Sequence, residues 1–333
     1  MSALPELIQA LLQSEAYPET TRKIKLVQTQ MSFVFLTDDY VYKVKKPVNL
    51  GYLDYTSLEK RRFFCRKEVE LNRRLCPDVY LGVVPIVKEK SGFLIGARGQ
   101  AVEYAVKMLR LPEEGMMDGL LAGNRVSSEM VGRVAAKVAE FHRMAETSAS
   151  ISHFGDLNTV IQNTDENFTQ TQKYIGNTIS PSDYQSIKDY TNNFVAQNTP
   201  LFHKRIADGR IKDCHGDLRA AHICFTDGIC IYDCIEFNDR FRYCDVVGEV
   251  AFLAMDLDHY GRADLSQSLV GAYVEQSQDR ELLTLLDFYK CYRAYVRGKV
   301  ESFKLDDPHI SDEEKTRVLA VARRYFKLAE SYI

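Results

Sequence analysis

Apolar and polar positions alternate through residues 22–47, "RKIKLVQTQMSFVFLTDDYVYKVKKP". The alternation breaks at Gln28–Ser32 and again at Thr37–Asp39, so the segment predicts three short strands joined by turns. The period then lengthens to that of a helix. Thr56, with Glu59 three positions on, fits a capping box opening "LEKRRFFCRKEVELNRRL", which must end before Pro77. Strand-like runs return at "GVVPIVKEK", "GFLIGARG" and "AVEYAVKMLRL". After Leu111 the texture is helical: Val131, Val134, Val138 and Phe141 share one face of residues 127–146. Residues 155–200 form polar helix-like segments, and a last helix opens at Ser311 with Glu314.

One stretch interrupts the helices. Ile223-Cys-Phe and Ile229-Cys-Ile-Tyr flank Thr226-Asp-Gly228, the pattern of a hairpin with Gly in the left-handed position. Pairing Phe225 with Ile229 places His222 opposite Tyr232 and one step from Asp233. Around this apolar hairpin stand His215, Asp217, His222, Asp233 and Glu236. Ionisable groups beside buried strands are costly unless they are paired or bind something. Carboxylates at one end of a hairpin suit a hard divalent cation, and an Asp in the preceding loop suits proton acceptance from a hydroxyl. That pairing is half of phosphoryl transfer. The other half, a strand lysine with a helix carboxylate, is offered by Lys43 with Glu68 or Glu70. Val41 and Lys43 share a strand face, and Lys45 on the same face is the alternative lysine.

These residues resemble the aminoglycoside phosphotransferase/choline kinase family, within the protein-kinase-like fold, and in particular an uncharacterised bacterial branch of it. His215-Gly-Asp217 matches the first part of the family's HGDxxxxN motif, and Ile231-Tyr-Asp233 matches its second metal-binding strand end. "DVVGEVA", Asp245–Ala251, matches its DxxxDhA with Glu249 in place of Asp. His222 stands where the family has Asn, a change that favours Mn²⁺ over Mg²⁺ or a hydrogen bond to Asp217. The resemblance implies an α+β, two-lobed fold: a nucleotide-binding lobe over residues 1–111 with a hinge near 108–112, and a helical lobe over 112–333 with catalytic and substrate sites. It implies ATP with Mg²⁺ or Mn²⁺, and a small hydroxylated acceptor such as a sugar, amino sugar or amino alcohol. Asp217 and His215 are then the catalytic pair. Ser32, Val41, Lys43, Glu68, Met108, Leu109 and Leu111 contact nucleotide, Asp233 and His222 hold metal, and Glu236, Asp239 and Asp256 are candidate substrate contacts. Asp245, Glu249, Asp256 and Asp258 either wall a pocket for a cation or serve as caps and salt bridges.

Composition narrows the alternatives. The net charge of −3 gives no global attraction to nucleic acid or membrane. The helix from Lys60 to Arg74, with seven basic residues against two acidic ones, is a weak nucleic-acid footprint. Leu4, Leu7, Ile8, Leu11 and Leu12 read as a surface helix without a basic leader, and no apolar run is long enough to span a bilayer. The expectation is a cytoplasmic protein without nucleic-acid partners. None of the eight cysteines forms a CxxC pair, so reduced core thiols are expected, ahead of zinc or disulfides.

Overall fold

The computed structural model describes residues 4–90, 92–308 and 310–333. In chain order they form α1 (Glu6–Ala10), β1 (Lys25–Gln28), β2 (Ser32–Leu36), β3 (Tyr40–Lys45), α2 (Leu58–Asn72), β4 (Tyr80–Glu89), β5 (Gly92–Ile95) and β6 (Ala101–Leu109). Next come α3 (Met117–Ala122), α4 (Ser128–Met144), α5 (Ala149–Ser152), α6 (Leu157–Thr171), α7 (Pro181–Gln197), α8 (Thr199–Ala207) and β7 (Ile211–Asp213). The hairpin is β8 (Ile223–Phe225) and β9 (Ile229–Ile231), followed by α9 (Asp239–Arg242), β10 (Tyr243–Asp245) and α10 (Val246–His259). The chain ends with α11 (Ala263–Ser277), α12 (Leu282–Phe303) and α13 (Asp312–Glu330). Two compact units result, Met1–Met116 with His222–Asp239, and Met117–Ala221 with Arg240–Ile333.

In the first unit the six strands form one antiparallel sheet in the order β1-β2-β3-β6-β4-β5. The breaks expected between the first three strands are the observed turns. Alternation along β2 and β3 gives the sheet two different faces. Phe33, Phe35, Tyr42 and Val44 point to one, where Ile8, Leu11 and Tyr17 cover them. The other face carries Val41, Lys43 and Lys45, with Ser32, Val34, Val106 and Met108 directly beside them in register. Helix α2 packs there through Cys65 and Val69. Its N-cap is Ser57, whose hydroxyl accepts the Lys60 N–H, rather than Thr56. Thr56 donates its hydroxyl to Asp54 at 2.6 Å, which shifts the start by one residue.

The β8–β9 hairpin, which the sequence reading attached to the helical lobe, groups with the sheet unit. Phe225 pairs with Ile229 as expected, and the Tyr232 N–H donates to the His222 carbonyl at 3.0 Å. Several links hold the hairpin segment to the rest of the sheet unit. Met116 makes a bridge to Cys224, the Cys234 N–H donates to Asn72 Oδ1 at 2.9 Å, and Cys230 is disulfide-bonded to Cys76. The disulfide corrects the expectation of reduced thiols at these two positions. Its partners lie 154 residues apart in sequence, so no local spacing announces it, while the fold brings their Cα atoms to 4.8 Å. The other six cysteines are not disulfide-bonded.

The second unit is built around α10, whose residues from Val246 to Leu257 are all buried. Phe252 and Met255 join Phe168, Tyr295, Tyr325 and Phe326 in its core. The expected apolar stripe of α4 (Val131, Val134, Val138 and Phe141) is buried, and Ser311 caps α13 by accepting the Glu314 N–H at 3.1 Å. Gly298 lets α12 approach α13: a Cβ there would lie 2.9 Å from the Phe326 ring.

Candidate active site

The lysines of β3 are brought together with three carboxylates within the first unit. Lys43 Nζ lies 2.9 Å from Glu68 Oε1 and donates to Asp233 Oδ1 at 2.7 Å. Lys45 Nζ bonds the other Glu68 oxygen at 2.7 Å and also pairs with Glu236. The Tyr55 hydroxyl donates to Glu236 Oε1 at 2.6 Å, closing the inner half of the network. Burial opposes the charge on both lysines, but the carboxylates overcome it: Asp233 and Glu68 hold Lys43 well above the ordinary lysine range, and Glu236 and Glu68 do the same for Lys45. Burial likewise works against ionised Glu68, yet the two ammonium groups keep its pKa below the usual value.

Exposure separates the two lysines that sequence spacing leaves equivalent. The Lys45 side chain is 1% exposed and enclosed by its partners, whereas Lys43 is 14% exposed and meets Asp233, itself 42% exposed. Three carboxylates against two ammonium groups leave a negative excess, and Asp233 is its open end. His222 Nε2 stands 3.7 Å from Asp233 Oδ2. Asp233 has φ +62°, a left-handed conformation uncommon for non-glycine residues, though Asp and Asn adopt it more readily than most. The Tyr80 hydroxyl accepts its N–H at 3.2 Å.

The same sheet face supplies an apolar surface. Val41 and Met108 are cross-strand partners, and both join a cluster with Leu111, Tyr80 and Tyr232. Leu109 is exposed, and its N–H donates to the Val79 carbonyl at 2.9 Å. Ser32 lies directly opposite Lys45 in the ladder, fully buried, and its hydroxyl has no hydrogen-bond partner among the described residues. Asp239 pairs with Lys67 at 2.7 Å. Basic residues of α2 and its C-terminal end have partners within the unit: Lys60 with Asp54, Arg61 with Glu103, and Arg73, just past the helix, with the Tyr80 and Leu81 carbonyls.

The second unit holds His215 and Asp217, in a loop whose shape is set by Glu249. One Glu249 oxygen accepts the N–H groups of His215 and Gly216 at 2.8 and 2.7 Å, and the other meets His142 Nε2 at 2.8 Å. Gly216, at φ +88°, makes the turn that a side chain would strain. The Asp217 N–H donates back to His215 Nδ1 at 3.3 Å, so His215 orients the loop. Burial raises the Glu249 pKa, but the bond and charge of His142 and the His215 contacts lower it to about 2. A carboxylate with a depressed folded pKa stabilises fully above its unfolded value, 4.5, and loses that contribution as pH falls toward 2. The urea midpoint gap between wild type and Glu249→Gln should therefore narrow steadily over this window. A gap independent of pH would show that Glu249 is not held ionised.

Asp217 receives a two-point clamp from Arg219, with Nε on Oδ1 at 2.7 Å and Nη2 on Oδ2 at 3.1 Å. Arg219 was not singled out from sequence, although its place two residues after Asp217 is a usable signal. Asp256 is buried and accepts the Ala220 N–H at 2.9 Å, bracing the same loop. The other acidic positions weighed as a cation-binding wall also have partners: Asp245 is bonded by Arg205, and Asp258 by Lys290 and Tyr332. Among the described residues, His142, Cys214 and Glu249 lie close enough to ligate a metal together. Both His142 nitrogens are hydrogen-bonded, however, and the Cys214 thiol donates to the Cys244 carbonyl, so the group is satisfied without an ion.

A choline/ethanolamine kinase family protein from Mesorhizobium loti matches over 93% of both chains, with a TM-score of 0.51 at 10% identity. The chain has the kinase-like fold. An ethanolamine kinase from Plasmodium vivax also resembles it, with a TM-score of 0.48 and 10% identity over 93% of this chain and 83% of that one. In sequence, uncharacterised proteins of Mycobacterium bovis and Mycobacterium tuberculosis are 30% identical over 321 residues, 96% of this chain. The chain spans 62% of the length of these relatives. No protein-family model matches it. The family resemblance read from the motifs is thus borne out at the level of fold. Among the described residues no helix is long and apolar enough to cross a membrane.

Proposed function

We propose that this kinase-like chain is an ATP-dependent phosphotransferase acting on a hydroxyl group of a small molecule. The observation that carries the reading is Lys43, held between Glu68 and Asp233 and more exposed than the neighbouring Lys45. A lysine fixed by a helix carboxylate beside a metal-ready aspartate is the arrangement that positions nucleotide phosphates in phosphoryl transfer. Val41, Met108, Leu109 and Leu111 offer adenine an apolar surface, and Ser32 brings a buried hydroxyl without a partner to the lysine face. A divalent cation held by Asp233 and His222 would neutralise phosphate charge. Asp217, steadied by Arg219, accepts the acceptor's hydroxyl proton while that oxygen bonds to the γ-phosphorus. The bond from phosphorus to the bridging oxygen breaks, and its electron pair leaves with ADP. The fold match to a choline/ethanolamine kinase family protein supports the same class of reaction.

The test is the thermal midpoint with ATP and Mg²⁺ or Mn²⁺, for wild type and Asp233→Asn. Ligand at a hundred times its dissociation constant should add about 2.7 kcal/mol to wild type. Asn tolerates the left-handed backbone, so the variant should fold and lose the metal-dependent part of the rise. No rise with any nucleotide and metal would end the kinase reading. His222 in place of Asn supports a second reading, nucleotide binding without turnover, which ADP release in the presence of acceptors would exclude.

A further inference from the structure

We propose that the acceptor handled by Asp217 is an anion, a hydroxy compound bearing a carboxylate or phosphate that Arg293 grips; this rests on the phosphotransferase reading. Carboxylates in the second unit that could attract a cationic acceptor are already engaged, Asp245 by Arg205, Glu249 by His142 and Asp258 by Lys290. Asp256 is spent on the Ala220 N–H.

Arg293 is only 9% exposed, and its Nε donates to the Gly248 carbonyl at 2.9 Å. No described residue hydrogen-bonds its two terminal nitrogens. Its guanidinium sits 4.6 Å from the centre of the Phe252 ring. The second guanidinium on that ring, at 5.9 Å, belongs to Arg219, which clamps Asp217. Phe252 therefore bridges the residue that steadies the proton acceptor and a second guanidinium whose fork is open. Arg297, one turn along α12, pairs with Glu301 through Nη2 at 3.2 Å, and its Nε is buried without a hydrogen-bond partner among the described residues.

A nearly buried guanidinium with an open fork offers its terminal N–H groups to an oxyanion. Its planar geometry matches carboxylate and phosphate in a two-point contact. An ammonium-bearing acceptor would meet like charge instead. Once such an anion is held, its hydroxyl gives its proton to Asp217, its oxygen bonds to the γ-phosphorus, and ADP departs with the electrons of the broken bond.

Thermal midpoints decide it, with inorganic phosphate, gluconate, glucose 6-phosphate, glucose and glucosamine as probes, each with and without ATP and Mg²⁺. Wild type should be stabilised by at least one of the three anions and not by glucose or glucosamine. Arg293→Gln should bind that anion about ten- to a hundredfold more weakly, as loss of a charged hydrogen-bond partner implies. Arg293→Lys, which keeps the charge and guards against a folding defect, should retain part of the affinity. The ATP-induced rise should be unchanged in both variants. Gluconate against glucose 6-phosphate tells carboxylate from phosphate. Stabilisation by glucosamine alone, no shift with any anion, an anion shift indifferent to Arg293, or loss of the ATP rise in Arg293→Gln would each overturn the proposal. An Arg293-dependent anion shift without any ATP rise would uphold the anion site and sink the kinase reading instead.

Discussion

Asp217→Ala should lower the rate of phosphoryl transfer by about 10²–10⁴, the range set by loss of a positioned proton acceptor. Binding of ATP should survive, because Asp217 belongs to the helical unit, while the lysine and carboxylates assigned to the phosphates belong to the sheet unit. The substitution also releases Arg219 from its clamp. Asp217→Asn, which can still accept one of the two Arg219 bonds through its amide oxygen but takes up a proton poorly, separates the two effects. ADP release in the presence of a productive acceptor, measured beside ATP-induced thermal stabilisation, gives both quantities. Turnover in Asp217→Ala within a factor of ten of wild type would remove this residue from the chemistry.

Lys45→Met should destabilise the protein by about 3–5 kcal/mol, the cost of removing one partner from a buried charge network. Glu68 and Glu236 have almost no exposure, so neither can recover hydration when the ammonium is lost. Lys43→Met should cost less stability, since Asp233 can turn to water, yet should remove most nucleotide affinity. The two variants thus exchange phenotypes: one loses folding free energy, the other ligand response. Urea unfolding provides the first number and the midpoint with ATP and metal the second. A Lys45→Met protein within 1 kcal/mol of wild type would show that the inner lysine is not structural.

This pair also shows where sequence reasoning stops. Local periodicity made the first three strands legible, as it did the register of Phe225 with Ile229 and the buried stripe of α4. The spacing of Lys43 and Lys45 places both on one face of β3 and cannot say more. Burial distinguishes them, and burial comes from Tyr55, Glu68 and Glu236 in three other segments. The Cys76–Cys230 bond is hidden for the same reason. Acidic positions near the His-Gly-Asp loop showed charge in the sequence but not partners. Glu249 proved to be a loop anchor through hydrogen bonds that only the packed α10 allows. Arg293 had no local signal, because its meaning depends on which of its nitrogens the fold leaves unclaimed.

The sheet unit is discontinuous along the chain, with residues 117–221 made between its two parts. A ribosome delivering this chain releases Lys43, Lys45 and Glu68 long before Asp233 and Glu236 exist. Until the hairpin emerges, two lysines face a single carboxylate, and Cys76 has no partner. A fragment cut after Met116 would be frozen at that stage, with an unbalanced pair of ammonium groups and an uncovered apolar face around Val106 and Met108. Dissecting this protein at its apparent lobe boundary would therefore yield an unfinished domain; a separately expressed sheet unit needs residues 222–239 grafted back through a linker.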